Sequence, residues 1–156
     1  MDARGLLIDL HAHVAPAAAL DALNAADAER RVARARHSIA EIVAHMSFWQ
    51  EWFCDRCEGG GSPPPARAAE GWPAVSAGSW PETHRRFLAG LERAASLAMP
   101  LERAIAPAIE FPPLAAYTVQ DALEHMAQHN SHHLGQVVIL RQLMGLWPPP
   151  SGGWTW

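Results

Sequence analysis

Apolar residues recur at three-to-four spacing along three long stretches of this chain, the pattern of amphipathic helices rather than of strands. Ser38-Ile39-Ala40-Glu41 reads as a capping box, in which the serine oxygen takes the third helical amide and the glutamate reaches back to the cap. The helix it opens is expected to run to about Cys57, stopped by Gly59-Gly60-Gly61, with Ile42, His45, Met46, Trp49 and Phe53 on its buried stripe. A second capping box, Ser79-Trp80-Pro81-Glu82, predicts a helix through Arg86, Leu91 and Ala95 that Pro100 ends or kinks. The third start, Thr118-Val119-Gln120-Asp121, predicts a helix continuing to Met144, with Gly145 as its stop. Its stripe is Val119, Ala122, Met126, His129, His133, Val137, Leu140 and Met144. A helix over about residues 6–23, with Pro16 as a break, supplies a fourth.

Residues 59–78 and 107–113 are too dense in proline for regular structure, and neither strand alternation nor an internal repeat competes. Four helices with one long crossover predict an all-α four-helix bundle, whose ligand sites are built from inward-facing side chains of different helices. A length of 156 residues predicts one domain spanning residues 1–156.

Charge narrows the partners. The formal net charge is −4, and all twelve basic residues are arginines, scattered apart from Arg30, Arg31, Arg34 and Arg36. No basic face results, so nucleic acid is not an expected ligand. The absence of lysine removes Schiff-base chemistry and a P-loop lysine. No apolar run approaches the roughly 20 residues that span a bilayer, and the apolar stretch after Gly5 is broken by Asp9 and His11. The expectation is a cytoplasmic protein with neither signal peptide nor membrane anchor. Cys54 and Cys57 have C-x-x-C spacing, but a zinc knuckle needs a second pair and a thioredoxin-type motif opens a helix after a strand. These two fall near a helix end and read as reduced thiols.

The candidate chemistry lies in the histidines. Helical residues four apart sit about 40° round the axis and about 6 Å along it, so His129 and His133 project side by side; His125 and His129 do the same. The spacing leaves both pairs open. His45, on the buried stripe of another helix, is a candidate third nitrogen. Buried imidazoles must find partners for both ring nitrogens, which a divalent ion does for several at once. Three histidines leave coordination positions free, as reactive rather than structural sites do. The uncompensated charge then attracts hydroxide, a thiolate or a carboxylate. His132 points about 60° to the other side of the helix, towards support of a ligand or towards solvent. His37 and His84, near helix starts, are expected to be solvated. Gln136 and Asn130 are candidates to orient the ligands, and Glu41, the nearest carboxylate, is assigned to capping. Ile8-Asp9-Leu10-His11-Ala12-His13 reads like the strand-borne His-x-His of metal-dependent amidohydrolases, but their barrel of about 250 residues exceeds this chain.

His129-x-x-x-His133-x-Gly135-Gln136, followed by Leu140-Arg141, Gly145 and Trp147-Pro148-Pro149-Pro150, resembles the closing signature of the DinB/YfiT-like metalloenzymes. Residues 37–52 resemble that family's second helix, and Gly71-Trp72-Pro73 with Trp154-Thr155-Trp156 resemble one of its subgroups. The resemblance covers nearly the whole chain. It implies a bundle of the up-down-down-up type with a long crossover loop, and one divalent ion, nickel or zinc, held by a histidine of helix two and two of helix four. By position these are His45, His129 and His133. It further implies a metal-dependent enzyme such as an S-transferase, acting on a small-molecule substrate with a low-molecular-weight thiol such as bacillithiol or mycothiol. A metal-dependent hydrolase and a non-catalytic metal-binding module are the alternatives; a pocket beside the ion favours an enzyme, a saturated buried ion the binding role. The tryptophan-rich C-terminus is able to cover either the bundle or a partner copy, which leaves a homodimer as an open expectation.

Overall fold

In the computed structural model, which describes residues 3–8, 14–97 and 99–152, six α-helices form an all-helical bundle. In chain order they are α1 (Ala3–Leu7), α2 (Pro16–Leu20), α3 (Ala25–Glu29), α4 (Ile39–Cys57), α5 (Trp80–Ala95) and α6 (Val119–Leu143). Helices α4, α5 and α6 are the long ones, with α4 packed against both of the others.

The local signals for α4 and α6 act as read. Ser38 Oγ accepts from the Glu41 amide (3.2 Å) while the Glu41 carboxylate accepts from the Ser38 amide (2.7 Å), closing the capping box of α4. Gly59, at φ +99°, takes a left-handed turn that side chains resist, and the helix stops there. Thr118 and Asp121 cap α6 in the same reciprocal way. At its other end the Leu146 amide reaches the Arg141 carbonyl (2.9 Å) and the Gly145 amide that of Gln142 (3.0 Å), a Schellman closure with Gly145 at φ +72°.

Two expectations need correction. Residues 6–23 do not form one helix: Pro16 cannot donate to a preceding turn and holds Ala15 extended (φ −59°, ψ 141°), so α2 begins afresh at Pro16. The fourth wall of the bundle is therefore assembled from three five-residue helices, α1 and α2 against α5 and α6, and α3 against α4 and α5. The second capping box does not form either. Ser79 has helical dihedrals (φ −81°, ψ −4°) and makes no cap bond. The Glu29 carboxylate, at the end of α3, accepts instead from the amides of Gly78 (2.9 Å) and Trp80 (3.2 Å), placing a negative charge at the N-terminus of α5. Helix α5 itself runs as expected and ends at Ala95, before Pro100.

Phe53, Phe87, Leu123 and Met126 are fully buried between the long helices, each worth about 1.5–3 kcal/mol of transfer free energy. Arg141, 2% exposed, ties the ends together: it donates to the carbonyls of Ala19 (2.7 Å) and Leu146 (3.1 Å) and lies 5.7 Å from the Trp147 ring centroid. Cys54 and Cys57 are free and fully buried, and burial raises their thiols to about 12 and about 11, so both are unreactive. The His11/His13 motif and the C-terminal Trp154-Thr155-Trp156 lie outside the described residues. No helix among the described residues is long and apolar enough to cross a membrane.

Candidate metal centre

Packing of α4 on α6 brings His45 together with His129 and His133, and one ring nitrogen from each lies within 4.8 Å of the others. His45 and His133 are buried at 6% and 7% exposure, and His129 is half-buried. The buried stripes that build the core thus also carry the three imidazoles into one place.

Two of the rings have their proton position fixed from outside the cluster. His45 Nδ1–H donates to the Gly71 carbonyl (2.5 Å), which turns the Nε2 lone pair inward. His133 Nδ1–H donates to Gln136 Oε1 (2.8 Å), with the same effect. The Gln136 amide is oriented in turn because its Nε2 donates to His132 Nε2 (3.2 Å). His129 Nε2 approaches His45 Nε2 to 3.1 Å, a contact that requires a proton or a cation between the two nitrogens.

The long connection between α4 and α5 folds over this cluster. Trp72 is inserted between His37 and His45, with centroid distances of 3.7 and 3.8 Å and near-parallel planes. Its edge faces His133 at 5.8 Å. Trp52 Nε1 donates to the Pro63 carbonyl (3.1 Å) and Arg56 to that of Ser62, so the last turns of α4 anchor the same segment, while Arg56 also reaches the Pro107 carbonyl in the loop between α5 and α6. Gly71 is the close approach: a Cβ there would stand 3.1 Å from Trp49 Nε1.

Burial dominates the electrostatics. It lowers His45 to about 4, with His133 and His37 adding repulsion and the Gly71 bond opposing. It lowers His129 to about 3, with His133, His45 and His125 repelling a proton. The Asn130 amide, buried beside that ring, favours its charged form without completing a hydrogen bond of ordinary geometry. His133 is lowered for the same main reason. At neutral pH the three rings are neutral, the form in which imidazole ligates a metal.

The donor set suits a divalent ion. At imidazole–metal distances of about 2.0–2.1 Å, two ligating nitrogens stand about 3.0–3.4 Å apart, which matches the 3.1 Å contact. The outer hydrogen bonds to a carbonyl and an amide oxygen are those that metal-ligating histidines make. The cluster could hold a metal ion.

The other histidines are elsewhere. His125 shares a hydrogen bond with the Tyr117 hydroxyl (3.1 Å) and packs 4.8 Å from the Phe53 ring, outside the cluster. His132 is exposed and lies outside the cluster, meeting it edge-on at His133 (5.0 Å between ring centroids) and through Gln136. Glu41 is occupied by its cap and by Arg31 at 2.5 Å. His37 and His84 depart from expectation: His37 is half-buried on Trp72, and His84 is half-buried, stacked on Trp80 at 5.2 Å. Gly71 and Trp72 were visible in the sequence only as a resemblance, because an irregular loop has no periodicity from which to read a contact.

Beside the cluster a cleft of about 390 Å³ opens, with His37 and Gln136 in its wall. No curated protein and no solved structure matches the chain. The family model of the DinB superfamily matches residues 12–137, a span that contains His45, His129 and His133. The chain belongs to the DinB superfamily.

Proposed function

We propose that His45, His129 and His133 hold one divalent ion, nickel or zinc, and that the protein is a metal-dependent enzyme, an S-transferase that joins a low-molecular-weight thiol to a small electrophile. The 3.1 Å approach of the His45 and His129 Nε2 atoms, with the His45 and His133 Nδ1 protons turned outward to Gly71 and Gln136, carries the metal reading. The adjoining cleft supports an enzyme over a binding module, since it leaves room for a small molecule at the edge of the site.

A bound divalent ion would supply positive charge that lowers a thiol's pKa from its usual value near 8.5 and so raises the thiolate fraction at neutral pH. The chain does the rest. Gly71 and Gln136 keep two ligand rings in the required tautomer. Trp72 covers His45 and keeps bulk water off it. The protein's own cysteines are buried and held protonated, so the reacting thiol comes from outside. Such a thiol is a cytoplasmic reagent, which is where this reading puts the protein. With water in place of the thiol the same site would be a hydrolase.

Tag-free, metal-loaded protein tests this with bacillithiol, mycothiol, glutathione and cysteine against an epoxide, a chloroaromatic and an activated alkene. The expected result is a thiol-dependent rate above buffer that disappears on chelation and in His133→Ala but survives in the Cys54→Ser/Cys57→Ser variant. A panel without any metal-dependent rate sinks the transferase; metal-dependent ester or amide cleavage by the same protein would establish the hydrolase.

A further inference from the structure

The cleft beside the metal centre collects features that are scarce elsewhere on the protein. Of the twelve arginines, seven pair with carboxylates, among them Arg31 with Glu41, Arg86 with Glu51 and Arg93 with Glu58. Arg56, Arg103 and Arg141 donate to main-chain carbonyls. Arg34 and Arg36 remain, with no acidic or carbonyl partner for their guanidinium groups among the described residues, and both line this cleft. Ile139 and Leu143, 56% and 66% exposed, are two of the three large apolar side chains that stand open to solvent among the described residues. They line it as well, over a floor that includes Ile42.

Two uncompensated cations beside an exposed apolar wall form a complementary surface for one chemical class. An apolar body gains by covering Ile139 and Leu143, and an anionic head gains by meeting a planar guanidinium, which offers two donors to a carboxylate. The volume of about 390 Å³ lies within the range of small-ligand sites. His37, through its stack on Trp72, and Gln136, through His133, set the inner end of the cleft one side chain from the ion-binding nitrogens. We infer that this cleft is the substrate pocket and that it takes a small amphipathic carboxylate, its apolar body on Ile139 and Leu143 and its head on Arg34 and Arg36. As the identity of the enzyme's electrophile, the inference rests on the proposed function; as the occupant of the cleft, it does not.

Calorimetric titration with octanoate, octanamide and octylamine separates the two, run on the full chain both chelated and zinc-loaded. Octanoate is expected to bind one-to-one in either state, at least about tenfold more tightly than octanamide, which is about 1.4 kcal/mol, and octylamine not at all. The Arg34→Gln/Arg36→Gln variant should bind octanoate no better than octanamide, and Leu143→Asp should bind neither, with circular dichroism unchanged in both. Equal binding of octanoate and octanamide by the native chain, or full octanoate affinity in the double arginine variant, overturns the inference. So does binding seen only with zinc and indifferent to Arg34 and Arg36, which would put the carboxylate on the ion. Failure to bind octanoate in a protein that Ile139→Asp converts from dimer to monomer would show instead that this face joins two copies. Octanoate binding that persists in a chain unable to hold zinc would leave the cleft standing and remove the metal reading alone.

Discussion

His129 and His133 owe their places in the cluster to their spacing, His45 to its place on a stripe, and Gln136 to one hydrogen bond that decides which nitrogen of His133 faces inward. Replacing His45, His129 or His133 by alanine should each abolish stoichiometric metal in tag-free protein measured by elemental analysis. His125→Ala and His132→Ala should keep it, because His125 is turned to Tyr117 and His132 lies outside the cluster. Loss in His125→Ala with retention in His133→Ala would move the clamp one turn earlier. Gln136→Leu should weaken affinity by about 10–100-fold, the usual cost of losing a ligand's outer partner. All three candidate ligands lie on stripes that helical periodicity brings to one face, but spacing left His125 open against His133, and it was the family resemblance that chose between them. His37 was not, since its neighbour Trp72 comes from a loop whose path obeys no repeat.

Among the elements, α4 and α6 could be read to within a residue at their starts because each carries its own cap in sequence. Helix α5 could be placed but its cap could not, for Glu29 reaches it from a helix fifty residues away in the chain. The N-terminal wall looked like one helix because alanine-rich sequence is permissive; Pro16 and the extended Ala15 before it decide otherwise. The crossover is the element that converts a bundle into a covered site. Trp72 contributes two parallel stacks, each worth about 0.5–1.5 kcal/mol beyond its buried area. Trp72→Ala should therefore leave the helical content unchanged and speed removal of the metal by a chelator roughly tenfold or more. Phe111→Ala, an exposed site in another loop, is the control that should not. Equal stripping rates would mean that the segment merely passes over the cluster.

For the whole molecule, folding buries several imidazoles at once and links stability to pH. Burial holds His45 at about 4 and His129 at about 3, with His133, His125, His84 and His37 lowered as well. Unfolding releases each ring to the ordinary histidine value of 6.5, so below that pH the unfolded chain binds more protons than the folded one. Stability is full above about 6.5 and is lost as the pH falls towards 4. The carboxylates that folding holds low, Glu58 beside Arg93 and Asp121 in its cap, act the same way but from lower starting values of 4.5 and 3.8. Between pH 6.5 and 5 the histidines dominate. The melting temperature of chelated protein should fall across that interval, and the decline should be shallower in His45→Leu/His129→Leu, where two of the rings no longer titrate. Metal-loaded protein should start higher and decline more steeply, because protons then also compete with the ion for the same nitrogens. A melting temperature constant from pH 7 to 5 in chelated protein would show that the rings are protonated as easily folded as unfolded, and that the cluster is open to water rather than enclosed by α4, α6 and the crossover.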